Sequence, residues 1–113
     1  MPFIHTRVNQ PIAPEKEKQM ARDMGQAITL LGQSERWLML HFEGDCRMYF
    51  QGSGETPLAF INVKVLGSSG RPHYNDLTAE LTRIVSGALD ISPDGVYVAY
   101  DETEHWGWNG ANF

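Results

Sequence analysis

The 113-residue chain is poor in cysteine and in positive charge, and it has no long apolar run. Its single cysteine, Cys46, cannot form a disulfide within the chain, so a reducing, cytoplasmic setting is expected. The formal net charge of −5, with no stripe of Lys and Arg, argues against nucleic acid and membrane surfaces as partners. No segment resembles a signal peptide or a membrane span of about 20 apolar residues. With 42% hydrophobic residues, the composition is that of a small globular domain.

The clearest positive feature is an internal repeat. Residues 3–8 read FIHTRV and residues 60–65 read FINVKV, so each copy has Phe-Ile, two variable residues, a basic residue and Val. Each copy is followed by a loop, a helical pattern and a second apolar strand, WLMLHF at 37–42 or GVYVAY at 95–100. The sequence therefore predicts a single α/β domain made of two βαβ units.

The two units cover about residues 2–56 and 57–113 of a domain that spans 1–113. Both helical patterns have one apolar face. In the first helix, which Pro14 begins and Gly32 ends, that face is formed by Met20, Met24, Ala27, Ile28 and Leu31. In the second helix, from about Arg71, it is formed by Leu77, Leu81, Ile84, Val85, Ala88 and Leu89. If the units share one four-stranded mixed sheet, both helices can cover the same face of it.

The other face of the predicted sheet is neither a core nor a simple polar surface. Alternation along the strands places aromatic and polar side chains there together, among them Phe3, His5, Trp37, His41 and Tyr97. Such a mixture favours an oligomer interior or a junction between subunits. The aromatic tail WGWNGANF is expected to pack on a neighbouring subunit, with packing on its own chain as the alternative.

The chain opens with MPFI, which places proline at the head of the first strand. Met1 is usually removed before proline, and its removal leaves a free secondary amine. The proline is either a coincidence or a catalytic group. In the repeat its counterpart is Ala59, so only the copy at the free chain end has the proline.

These features together resemble the macrophage migration inhibitory factor (MIF) branch of the tautomerase superfamily over nearly the whole chain. The segments that carry the resemblance are MPFI at the start, MYFQGS at 48–53, VLG at 65–67, ISPDGVYV at 91–98 and GWNGANF at 107–113. The resemblance implies two βαβ units in a four-stranded sheet with two helices on one face, and three chains assembled as a homotrimer.

The resemblance also implies a keto–enol tautomerase that needs no cofactor and acts on phenylpyruvate-like or dopachrome-like substrates. Pro2 is then the general base, in a pocket between adjacent subunits. Leu66 matches a residue whose backbone amide contacts substrate, and Tyr97 matches a pocket tyrosine supplied by the neighbouring chain. The remaining expected pocket residues are Phe3, Trp37, Trp106 and Phe113.

Two positions depart from the family pattern. Gln33 stands where the family has a carboxylate-binding lysine, and Ala99 stands where it has a pocket asparagine. Lys64 is expected to replace the missing cation, since it lies two residues before Leu66 on the same side of the strand, and Arg36 is a second candidate.

These departures leave an alternative open: a signalling or binding protein on the same scaffold, with weak or absent tautomerase activity and a protein receptor as partner. Its release from the cell without a signal peptide is also left open. Dehalogenation or decarboxylation by the same amine is less favoured, because no paired arginines are evident. The four histidines show no metal-ligand spacing, so no metal site is expected.

Overall fold

The computed structural model describes all of residues 1–113. Its principal elements in chain order are β1 (Pro2–Val8), α1 (Pro14–Ala27), β2 (Met39–Glu43), β3 (Ala59–Leu66), α2 (Arg71–Leu89) and β4 (Val96–Thr103). A short hairpin of β5 (Gly107–Trp108) and β6 (Ala111–Asn112) follows. The order β-α-β therefore occurs twice, as the sequence repeat predicts.

The four long strands form one mixed sheet in the order β2-β1-β3-β4. Within each βαβ unit the two strands are parallel, and the units join through the antiparallel pair β1 and β3. Both helices pack together on one face of this sheet, and a single cluster of buried apolar residues from helices and strands lies between them. The predicted fold class, a four-stranded mixed sheet with two helices on one face, is confirmed.

The first helix has the predicted apolar face but ends in a tighter turn than expected. Pro14 occupies its first turn after Ala13, whose extended backbone begins the helix. The α-helical part stops at Ala27, and residues 28–31 continue as a 3₁₀ turn. Gly32 then closes the segment in the left-handed region, with φ of 71°, as the predicted cap requires. All five predicted apolar residues of this helix are buried.

The second strand begins later than predicted. Residues 35–37 form a 3₁₀ turn, which the Ser34 hydroxyl caps by accepting a hydrogen bond from the Arg36 N–H over 3.2 Å. The strand itself starts at Met39, so the expectation that Trp37 lies in it is wrong. The turn places Trp37 beside the beginning of β1, near Pro2 and Phe3, rather than in the sheet.

One face of the sheet is buried against the helices, whereas the opposite face, here called the mixed face, carries both apolar and polar side chains. Alternate residues of β1 and β3 are buried against the helices, whereas the intervening residues are half-buried or exposed. Neither helix combines the length and the apolar character that crossing a bilayer requires. The mixed face contains Phe3, His5, His41 and Tyr97, as predicted from alternation.

Candidate functional site

Pro2 lies at the edge of a cavity of about 570 Å³. It is buried as the first residue of β1 and pairs with Val65 of β3. The cavity is in the size range of small-molecule sites, roughly 300–1,000 Å³. Several residues named from the sequence line it together: Pro2, Phe3, Trp37, Lys64 and Trp106, with Arg36 beside them. The N-terminal strand, the 3₁₀ turn before β2 and the C-terminal tail therefore converge at the chain end.

The retained Met1 is held by two polar contacts at this point. Its terminal amine donates a hydrogen bond to Gln33 Oε1 over 3.0 Å, and its carbonyl oxygen accepts one from the Leu66 N–H over 3.3 Å. Partial burial lowers the pKa of the Met1 amine below its ordinary value, because desolvation disfavours the cation. The surroundings of the chain end thus favour a neutral amine. The Leu66 N–H also donates to the peptide group that joins Met1 to Pro2.

The apolar wall of the site is built by the tail. The Trp108 ring meets the Trp37 ring edge-on, with centroids 5.0 Å apart. A second, wholly apolar cavity of about 380 Å³ adjoins the first and is lined by Met1, Trp37, Leu66, Trp108 and Phe113. The Trp108 contact lies within the chain, the alternative that the sequence left open. Trp108 and Phe113 nevertheless remain 52% and 64% exposed, so the tail keeps apolar surface in contact with water.

The two candidate cations differ in their partners. Lys64 Nζ lies 3.3 Å from Asp101 Oδ2, an oxygen that also accepts a hydrogen bond from the Asn62 amide over 3.0 Å. The Asn62 hydrogen bond, and then Lys64, lower the pKa of the Asp101 carboxyl. Arg36 makes no ion pair, and its guanidinium lies 5.2 Å from the Trp37 ring centroid. Arg36 is therefore the cation of the cavity whose charge is not offset by a carboxylate.

Tyr97 lies apart from Pro2 within one chain. It lines a different apolar cavity of about 280 Å³, where its ring packs edge-on against Phe50 at 5.1 Å and Phe60 at 6.3 Å between centroids. The assignment of Tyr97 to the pocket of a neighbouring chain stays a prediction. Ala99, two residues further along β4, is half-buried and offers no polar group.

Sequence reasoning missed a group of three residues on the mixed face of the sheet, away from the Pro2 cavity. His5, His41 and Glu43 offer ligand-type atoms that all lie within 4.8 Å of one another. A spacing along one segment, such as H-x-x-x-H, does not reveal these residues, because they come from two different strands. The pattern H-x-E at 41–43, at the second strand of the first βαβ unit, was the available signal.

Comparison with known proteins agrees with the fold and the chain length. The macrophage migration inhibitory factor of Rattus norvegicus is 28% identical over 115 residues, which cover 100% of this chain and 99% of the relative. The crystal structure of Leishmania major MIF2 superposes with a TM-score of 0.94 at 29% identity, covering 100% of this chain and 97% of that one.

A more distant structure has the same fold at 18% identity, with a TM-score of 0.77 over 89% of this chain and 85% of the other. It is a protein inactivated by 2-oxo-3-pentynoate. The family profile described as macrophage migration inhibitory factor (MIF) matches residues 1–113. The chain belongs to the macrophage migration inhibitory factor family.

Proposed function

We propose that the protein is a keto–enol tautomerase of phenylpyruvate-like or dopachrome-like substrates, with Pro2 as general base once Met1 has been removed. Family membership supports a tautomerase or cytokine-type function in general. The observation that carries the specific proposal is the hydrogen bond from the Leu66 N–H to the Met1 carbonyl. Removal of Met1 frees this donor beside the new terminal amine of Pro2, in a cavity with aromatic walls.

The base needs a lone pair near neutral pH. A terminal amine has an ordinary pKa of about 7.7–8.0, and a proline secondary amine is intrinsically more basic. Burial opposes that basicity by penalising the cation, as it does for the Met1 amine at the same place. The proline ring also fixes φ, so the nitrogen is held in one orientation by β1. Both properties favour proton abstraction by Pro2 at physiological pH.

The reaction moves one proton from carbon to oxygen. The Pro2 nitrogen takes the proton from the carbon next to the ketone, and the electron pair of the C–H bond forms the C=C bond of the enol. The carbonyl oxygen becomes negatively charged and takes a proton from water, and the Pro2 ammonium returns its proton to the water, which restores the base. The Leu66 N–H is positioned to donate to a substrate oxygen, where a fixed donor stabilises developing charge.

Arg36 is the better anchor for the substrate carboxylate. Lys64 already has Asp101 as partner, so a substrate anion would have to compete with that carboxylate. The Arg36 side chain lines the cavity without an ion-pair partner, and guanidinium groups bind carboxylates through two parallel hydrogen bonds. Gln33 contributes a neutral amide near the chain end. In a homotrimer, Tyr97 of a neighbouring chain would complete the pocket.

The test is the tautomerisation of phenylpyruvate and dopachrome methyl ester by chain from which loss of Met1 has been verified by mass spectrometry. We expect activity that rises with pH and levels off once the amine is deprotonated, since only the free base accepts the proton. A chain with an uncleaved N-terminal extension has no amine at Pro2 and should be inactive. An inactive processed chain, or an equally active extended chain, would refute the proposal.

A second candidate is a signalling or binding protein on the same scaffold. It is favoured by Gln33 and Ala99, which replace the charged and polar groups expected in the pocket. The same assay separates the two candidates, because a processed chain without activity towards either substrate supports the binding role.

A further inference from the structure

A second group of reactive side chains lies on the sheet face opposite the helices, outside the Pro2 cavity. The group consists of His5 of β1 and His41 and Glu43 of β2. In the parallel register His5 is opposite His41, and Glu43 is two residues further along the same strand, so all three point to the same side. We call these three residues the His-His-Glu cluster.

The contacts within the His-His-Glu cluster are close. His5 Nε2 lies 2.5 Å from Glu43 Oε1, and the rings of His5 and His41 stack with centroids 4.2 Å apart and planes 4° from parallel. The His5 side chain is only 13% exposed, while that of Glu43 is 43% exposed and His41 is exposed. His5 is thus fixed by packing, whereas the other two can rotate toward it.

The second βαβ unit provides an internal comparison. Asn62 and Ala99 occupy the positions of His5 and His41, and the pair Lys64–Asp101 occupies the positions of Arg7 and Glu43. The base–acid pair is therefore present in both units, at 3.8 Å between Arg7 Nε and Glu43 Oε1 and at 3.3 Å in the second unit. Since the second unit forms this pair without an imidazole, the ion pair alone does not account for the two histidines.

We propose that the His-His-Glu cluster binds a divalent transition-metal ion of the zinc class. Two neutral imidazoles and one carboxylate are a ligand set that zinc uses, with water in the fourth position. Bonds of about 2.0–2.2 Å place two ligand atoms of a tetrahedral ion about 3.3 Å apart. The ligand atoms here lie within 4.8 Å of one another, so the side chains need to move by only about 1.5 Å to reach that spacing.

Two other groups compete with the metal. Arg7 is the cation that faces Glu43, and metal binding weakens that pair by taking the same carboxylate. Protons compete for the imidazoles, because histidine binds a metal only in its neutral form.

The experiment is calorimetric titration of the full processed chain with Zn²⁺ near neutral pH. We expect one zinc ion per chain. His41→Asn and Glu43→Gln should each weaken binding by about 10-fold or more. The matched control is His105→Asn, which removes an exposed histidine of the tail and should leave the affinity unchanged. Cys46→Ser should also leave it unchanged, because Cys46 is not part of the cluster.

A second measurement does not rely on the heat of binding. Co²⁺ bound by two imidazoles and a carboxylate should give visible absorption bands that His41→Asn abolishes, while circular dichroism shows that the variant is folded. The proposal is overturned if the wild type binds no zinc, if His41→Asn binds as tightly as the wild type, or if Cys46→Ser abolishes binding.

Discussion

The two βαβ units have the same order of strands and helix, but they carry different side chains at the start of the first strand and on the face of the sheet opposite the helices. β1 and β3 begin with similar sequences, pair with each other antiparallel, and are each followed by a helix and a parallel partner strand. Both units have a basic residue on the first strand opposite an acidic one on the second. The core-facing positions are apolar in both units, so the repeat conserves the fold within the chain.

The units differ at two places. Pro2 is the first residue of β1, whereas its counterpart Ala59 is the first residue of β3. The first unit also has two stacked histidines where the second has Asn62 and Ala99. Only the first unit therefore has a proline at the head of its first strand, and only the first has a set of metal-type ligands.

Replacement of Pro2 is expected to have the largest effect. Pro2→Gly in the processed chain substitutes a flexible primary amine for the fixed secondary amine. We expect kcat/KM for phenylpyruvate to fall by about 10²–10⁴-fold, the usual contribution of a general base. The matched control is Ala59→Gly at the equivalent position of the second unit, which should leave kcat/KM near the wild-type value. Equal losses in both variants would show that the effect is structural.

Substitutions that create cavities in the shared core should lower the stability of both units together. Met24 of α1 and Leu81 of α2 are fully buried in one apolar cluster. Met24→Ala and Leu81→Ala are each expected to reduce the free energy of unfolding by about 2–5 kcal/mol. Urea denaturation followed by tryptophan fluorescence and by circular dichroism should give one coincident transition. Two separate transitions would mean that the units fold as independent domains, contrary to the single domain expected from the sequence.

Much of this architecture follows from the sequence, because periodicity reports directly on burial. The buried faces of α1 and α2 and the alternation of β1 and β3 were all predictable. The start of β2 was not, since Trp37 and Leu38 extend the apolar run of the strand, whereas residues 35–37 form a 3₁₀ turn capped by Ser34. Contacts such as Leu66 N–H with the Met1 carbonyl depend on strand pairing, which spacing along one strand does not reveal.

Removal of the unpaired cation should have an intermediate effect. Arg36→Ala is expected to raise KM for phenylpyruvate by about 10-fold or more with little change in kcat, because a charge-assisted hydrogen bond contributes about 1.5–3 kcal/mol. The double variant Lys64→Met/Asp101→Asn removes both charges of the neighbouring pair and should change KM by less than about fivefold. Steady-state kinetics that reverse this order would assign the anchor to Lys64.

Substitutions at the ends of the two helical segments are expected to have the smallest effects on stability, and these effects should be of opposite sign. Gly32 closes the first segment with φ of 71°, and Asp90 closes the second with φ of 55°. A left-handed residue with a side chain costs about 1–2 kcal/mol relative to a right-handed one, and glycine avoids this cost. Gly32→Ala should therefore destabilise the chain by about 1 kcal/mol. Asp90→Gly should be neutral or stabilising, and thermal unfolding of the two variants checks the sign.

We propose above that the terminal amine of Pro2 is the reactive group of the first unit. The most direct test treats processed chain with 2-oxo-3-pentynoate, whose conjugated triple bond accepts an amine by addition without a leaving group. Mass spectrometry of the intact chain and of its N-terminal peptide then locates the label. We expect one adduct of the whole reagent on Pro2, and we expect excess phenylpyruvate to prevent it. An unmodified chain, or a label on Cys46 instead of Pro2, would contradict it.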